Sequence, residues 1–531
     1  MASVFYSLLC HRYAAMKAIS RIPAPSHHVV QALPGACVLA RSSRLFRQCA
    51  CSLLALFLSL LSLPPAAFAQ ADGLPELGEA ARADLSPQIE RRIGERIMNE
   101  IRQREPAYVE DPEISDYLNR LGRRLVEASS DPTGRFYFFA IRDNAINAFA
   151  MFGGYIGVNT GTILTAQTES ELAGVIAHEI GHVTQNHLAR QIAKEKQNTV
   201  PMLIAMAVGI LAARSNSDAA MGAIVGAQAG AAQAHLAYSR EFEREADRVG
   251  YQILSKAGFD VRGMPDFFGR MQQSTRIYES AAPVYLRSHP LTIERLSDMQ
   301  NRVRESPYKQ IVSHLDFYLV RAKLRAYQGT PEEAVRDFDM QVKERKSVSL
   351  AAARYGLAAA YLRAKNTQAA QRELESLLAL RVASPLISGL AGAIRMAAHD
   401  AAGAASVYRE SLQRFPQARS LVYGYADALF DARRFDTLLD FLESRLRQNQ
   451  ADARLYAIQA KTYAALGKRF QQHRAQAEAY ALEGQLGAAI EQLQYAQQAK
   501  DGDFYEQSAV DARLRELRQQ QAEEDRQKKD L

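Results

Sequence analysis

Residues 178–182 read His-Glu-Ile-Gly-His, and this pentapeptide limits the fold more than any other stretch of the 531-residue chain. Two histidines four apart point the same way on an α-helix, where both imidazoles leave one face and can meet a single cation. Glu179 lies about one hundred degrees round the same helix, within reach of a water beside that cation. The preceding run Glu171-Leu-Ala-Gly-Val-Ile-Ala177 is apolar on the side that buries such a helix. The pattern implies a buried helix with His178 and His182 as ligands of one Zn2+ and Glu179 as general base, an arrangement suited to peptide-bond hydrolysis.

A catalytic zinc needs a third protein ligand and one open position. Ser239-Arg-Glu-Phe-Glu-Arg-Glu-Ala-Asp247 is the richest source downstream. Glu243 and Asp247 are four apart and share a helical face, whereas Glu241 and Glu245 turn elsewhere. Glu243 is the expected ligand, and Asp247 the group that orients a ligating imidazole. The same segment also reads as a solvated helix pairing Glu241, Glu243 and Glu245 with Arg240, Arg244 and Arg248; the upstream motif favours the ligand reading. His187 is expected at the surface. His289, before Pro290 in a loop-like stretch, is usually a structural position, although a mobile loop can bring it to the open zinc position.

The first 69 residues hold six basic residues and no acidic one. Arg41 to Arg47, the short apolar run Leu53 to Leu63 and Ala67-Phe68-Ala69 have the form of an export signal with cleavage after Ala69; a membrane anchor is the alternative. Without this segment the chain carries 59 basic against 58 acidic residues, so its formal charge falls from +7 to +1. A nucleic-acid-binding surface is therefore not expected. All four cysteines lie at or before Cys51, which excludes a thiol nucleophile, a thiolate metal site and disulfides in the remainder.

With 48% hydrophobic and 23% charged residues, the chain is long enough for at least two domains. We expect a mainly α architecture with residues 1–69 as extension and signal, 70–308 as a zincin-like metallopeptidase domain, 309–517 as helical repeats and 518–531 as a fraying polar tail. Apolar spacing predicts two helices separated at Pro106 and Pro112, and the stretches Arg135 to Arg142, Ala145 to Ala150 and Tyr155 to Asn159 predict a small antiparallel sheet. One helical stretch is expected from Glu169 to Gln191. Val200 to Tyr238 is apolar or small almost throughout, suiting a helix over the site, a membrane or partner contact, or core. Tyr355-Gly356 and Tyr423-Gly424 stand 68 residues apart with Gly389 halfway, the 34-residue period of a tetratricopeptide array. An irregular helical bundle remains the alternative.

His178 to His182, Glu243-x-x-Ala246-Asp247 and Ser288-His-Pro-Leu-Thr-x-Glu-Arg295 together resemble the zinc peptidases of the CAAX prenyl protease and HtpX type. The resemblance covers nearly the whole chain after the signal and is strongest over residues 140–300. It implies zinc on His178, His182 and Glu243, Glu179 as base, and His289 as a regulatory fourth ligand. It also implies that Asn147, Ala148 and Phe149 belong to an edge strand on which an extended substrate pairs. Phe152 stands where many relatives have proline before Gly-Gly. The signal and repeats match a periplasmic branch that serves outer-membrane β-barrel assembly as protease and chaperone. That likeness implies misassembled outer-membrane proteins as clients, the barrel-assembly machinery as a partner of the repeats, and peripheral membrane contact. The branch joins its domains by disulfides, for which the chain after Ala69 has no cysteine. A general quality-control peptidase, or a repeat-based scaffold with latent protease activity, are the rival functions.

Overall fold

The computed structural model describes residues 86–195, 240–277, 284–307, 311–344 and 347–529. The expected signal, its cleavage site and the Val200 to Tyr238 stretch lie outside these residues.

Two helices open the described chain, each begun by a proline at its first turn and a side-chain cap. Ser86 caps α1 (Pro87–Arg104), and Asp111 accepts from Glu113 and Ile114 N–H at the start of α2 (Pro112–Val126). Their apolar faces bury Ile93, Ile97, Met98 and Ile101, and Ile114, Leu118, Leu121 and Leu125. Strands β1 (Tyr137–Ile141), β2 (Ala148–Ala150) and β3 (Tyr155–Asn159) form a sheet in the order β1-β3-β2. β2 and β3 are the expected antiparallel hairpin, turned by Gly153 and Gly154, both at positive φ. β1, however, runs parallel to β3, so the sheet is mixed rather than antiparallel. The reason is topological: the hairpin folds back so that its second strand, not its first, lies beside β1. A single 3-10 turn at Phe152–Gly154 absorbs the Phe152 that departs from proline.

After α3 (Thr160–Thr165) comes α4 (Glu169–Thr184), the helix that carries the motif, begun by Thr168, whose hydroxyl accepts from Glu171 N–H. The expected single helix is broken here. Asn186 takes a φ of 52°, and α5 (His187–Glu195) starts in a new direction. Then follow α6 (Arg240–Lys256), α7 (Gly263–Ile277), α8 (Val284–Ser288) and α9 (Ile293–Arg304).

The remainder is built of antiparallel helix pairs: α10 (Leu315–Ala326) with α11 (Pro331–Lys343), α12 (Leu350–Arg363) with α13 (Thr367–Leu378), and α14 (Pro385–Ala397) with α15 (Ala401–Arg414). α16 (Arg419–Asp431) with α17 (Phe435–Gln448), α18 (Ala453–Ala465) with α19 (Arg469–Leu482), and α20 (Leu486–Gln498) with α21 (Phe504–Lys529) complete them. From α12 onward the first helices of successive pairs begin 33 to 35 residues apart. The glycines that reveal the period in sequence are contact points. A Cβ on Gly356 would strike the Phe338 ring, and one on Gly424 the Tyr408 ring, so an aromatic of one pair seats against the next. α21 extends through residues 518–529, the expected polar tail, with Leu517 buried just before them.

The described residues fall within one compact unit, Pro75–Leu531. A single apolar core runs from Val109 on the sheet side to Ile394 in α14, crossing the sequence position where the peptidase region was expected to end. Ion pairs key the two regions together. Lys323 reaches Asp111 and Glu113 at 2.6 Å each, Arg120 meets Asp316 at 2.7 Å, and Arg419 meets Asp116 at 2.6 Å.

Candidate metal centre

The site forms where α4 and α6 approach closely. Close approach needs small residues, and they are present: a Cβ on Gly181 would lie 3.0 Å from the Ala246 carbonyl oxygen, and one on Gly250 would lie 3.0 Å from the His178 nitrogen. On α6, Glu243, Ala246, Asp247 and Gly250 share the face turned to α4, and all are buried. Thr292 caps α9 by accepting from Arg295 N–H, which sets Arg295 one turn in and aims it at the same point.

His178, His182, Glu243 and His289 each offer one donor atom, and these atoms lie within 4.8 Å of one another. Nε2 of His182 is 3.1 Å from Nε2 of His178 and 3.4 Å from Glu243 Oε1. His289 Nδ1 is 3.0 Å from Glu243 Oε1 and 3.4 Å from His178 Nε2, and its ring stacks on Tyr285 at 4.5 Å. Every one of these groups is at most 2% exposed. Glu179 is fully buried beside them, 3.6 Å from His289 Nε2, and neither carboxylate oxygen has a hydrogen-bond partner of ordinary geometry among the described residues. Four converging nitrogen and oxygen donors with a second buried carboxylate alongside fit a divalent cation and a water.

The expected residues are thus brought together, and the structure adds the groups behind them. Asp247 Oδ1 sits 3.0 Å from His178 Nδ1, which leaves Nε2 free to ligate. Arg295 grips both oxygens of Asp247 at 2.7 and 2.8 Å, reaches Glu243 Oε2 at 2.7 Å, and donates to the Pro290 carbonyl at 2.7 Å. It ties the His289 loop to the carboxylates of α6. Sequence reading found Arg295 only as part of a resemblance, because nothing in T-x-E-R alone says what the arginine faces.

His187 is a correction. Expected at the surface, it is fully buried, with Nδ1 2.9 Å from His182 Nδ1 and its ring stacked on Phe242 at 4.5 Å. The left-handed Asn186 turns the chain so that His187 returns behind His182. Glu245 turns away from the Glu243 and Asp247 face, as expected, and meets His187 at 3.1 Å and Arg190 at 2.9 Å.

Electrostatics follow from burial against carboxylates. Burial lowers His182 to about 3, so it stays neutral. Burial also opposes charge on His178, but Asp247 and Glu243 outweigh it and raise that imidazole to about 10. Burial disfavours ionised Glu243, yet His289, His178 and His182 hold its carboxyl well below the ordinary value. Glu179 is raised by burial, against the pull of His289 and His178.

The stretch expected to pair with substrate forms β2, at the edge of the sheet among the described residues and in contact with α4. Ala148 and Phe149 lie in it, and Asn147 just precedes it, its carbonyl accepting from Asn159 N–H and Thr162 Oγ1. The end of β2, the Gly153-Gly154 turn, His182 and Asn186 line one cavity.

A cation between two imidazoles and a carboxylate, with a second carboxylate poised over water, is the equipment of the metal-dependent hydrolases. Residues 112–303 match the model of Peptidase family M48. A β-barrel assembly-enhancing protease of Escherichia coli strain K12 is 33% identical over 436 residues, covering 80% of this chain and 88% of that one. Its Vibrio cholerae counterpart is 38% identical over 329 residues, covering 62% and 68%. The metalloprotease LoiP of Escherichia coli is 29% identical over 197 residues, covering 36% and 73%. The chain therefore belongs to peptidase family M48, within its β-barrel assembly-enhancing protease group, and is a metallopeptidase.

Proposed function

We propose that the chain is a periplasmic zinc endopeptidase and chaperone that removes or assists misassembled outer-membrane β-barrel proteins. The observation that carries the chemistry is the convergence of His178, His182 and Glu243 around one point with Glu179 buried beside it. Two imidazoles and one carboxylate favour zinc. Held there, zinc would polarise a peptide carbonyl and lower the pKa of a water. Glu179 takes the proton from the attacking water and returns it to the leaving amine. Asp247 and Arg295 keep His178 and Glu243 in register. An extended client adds to the outer edge of β2 through main-chain hydrogen bonds, which presents its backbone to the metal helix.

The client class rests on the relatives' printed description and on the export signal read in residues 1–69. The helix pairs are read as tetratricopeptide-like units. They support a receptor role, and a cavity between the later pairs carries Tyr456, Tyr463, Arg447, Arg474 and Glu478 on its wall. The barrel-assembly machinery is the proposed partner of this region, with peripheral contact at the membrane. No helix among the described residues is long and apolar enough to cross a membrane.

The test is competitive cleavage by the zinc-loaded protein of an unfolded outer-membrane β-barrel protein and of unfolded casein. A preference for the barrel protein of about tenfold or more in kcat/KM is expected, corresponding to about 1.4 kcal/mol of discrimination. Equal rates would leave a general quality-control peptidase instead. One observation favours latency as the resting state: the His289 donor atom lies within 4.8 Å of those of His178, His182 and Glu243, so as a fourth ligand it would take the position an attacking water needs.

A further inference from the structure

His178 and His182 are oriented from behind by different devices. Behind His178 stands a carboxylate, Asp247. Behind His182 stands another imidazole, His187, and only behind that a carboxylate, Glu245, itself paired with Arg190. We propose that His187, with Glu245 setting the direction of its protons, is the positioning group that holds His182 as a metal ligand through Nε2. This rests on the metal-site reading above.

The proton order follows from the carboxylate end. Glu245 accepts only, so His187 must carry its proton on Nε2, 3.1 Å away. The opposite tautomer would set a lone pair of His187 against a carboxylate lone pair. With Nε2 protonated, neutral His187 offers Nδ1 as an acceptor, 2.9 Å from Nδ1 of His182. His182 then carries its proton on Nδ1, and its Nε2 lone pair faces His178, Glu243 and His289. Each link is held in place: His187 is fully buried and stacked on Phe242 with planes 10° apart, and the Arg190 guanidinium lies 4.5 Å over the same Phe242 ring. Groups in such a position behind a ligating histidine typically alter metal affinity by 10- to 100-fold.

Two substitutions separate the hydrogen bond from the packing. His187→Phe keeps a ring on Phe242 and removes the acceptor. His187→Asn loses the ring and keeps an acceptor at the place of Nδ1. The experiment measures zinc affinity of the full chain by competition with a chromophoric chelator, together with thermal unfolding of the metal-free protein. The expected result is roughly 10- to 100-fold weaker zinc binding for His187→Phe, with His187→Asn within about fivefold of the unaltered protein. Unchanged affinity in His187→Phe overturns the proposal. So does a loss of affinity in both variants that simply follows the drop in their metal-free melting temperatures. An unaltered chain that takes up no zinc overturns the metal-site reading and the brace with it.

Discussion

At the scale of single residues, the centre is a set of groups each needing another to be useful. His178 requires Asp247, Glu243 requires Arg295, and His182 requires His187. The proposed ligands are readable in sequence because their spacing is chemical: four residues apart on a helix means one face. Asp247 is readable for the same reason. His187 is not, since its place depends on a single left-handed residue, Asn186, within a run of otherwise helical character. His289 is the residue whose role is most open to measurement. If it fills the position needed by water, His289→Ala should raise cleavage of an unfolded substrate by about tenfold or more, equivalent to removing a competing interaction of about 1.4 kcal/mol. A steady-state rate no higher than that of the unaltered enzyme would show that His289 does not hold the enzyme back.

Among elements, the helix pairs show how a repeat can hide in its own sequence. The turn inside each of the first five pairs contains one residue in the left-handed region: Gly329, Lys365, His399, Arg433 and Gly467, 34 to 36 residues apart. Only the first and last are glycine, so this turn signal cannot be seen as a glycine period. What remains visible is the packing pair, glycine on one helix under an aromatic from the previous one, at Gly356 and Gly424. The sheet shows the complementary failure: strand positions follow from residue type, whereas the parallel pairing of β1 with β3 depends on which strand of a hairpin meets a third. The turns also give a test. Arg433 has a φ of 55°, where a Cβ is strained. Arg433→Gly is expected to stabilise the protein by about 0.5–1 kcal/mol, read as a higher denaturant midpoint at constant m-value. A lower midpoint would mean that the Arg433 side chain contributes more than its backbone costs.

For the molecule as a whole, the peptidase region and the first repeats share one apolar core and a set of ion pairs. Composition does not reveal these ion pairs, because the partners lie some 200 residues apart in the sequence. Lys323 from α10, facing Asp111 and Glu113, is the key contact. Burial raises the Glu113 carboxyl to about 6 even with Lys323 beside it. The folded state therefore binds that proton more tightly than the unfolded chain does, and this group's contribution to stability falls as pH rises from about 4.5 through 6. Lys323→Met leaves the carboxylates without their counter-charge and should cost roughly 3 kcal/mol at pH 7. Without Lys323 the Glu113 carboxyl takes up its proton at a higher pH still, so the loss should shrink as pH falls towards about 6; a loss independent of pH between 6 and 8 would point to packing instead. Three distant segments, α4, α6 and the His289 loop, meet at the metal centre only because this scaffold holds them there. The most direct test of the centre is the Glu179→Gln protein, assayed for bound zinc and for cleavage of an unfolded client. One zinc per chain with cleavage reduced by roughly 100- to 10,000-fold is expected, since the ligands remain and only the base is gone. Zinc retained with undiminished cleavage would contradict the assignment of Glu179 as the base.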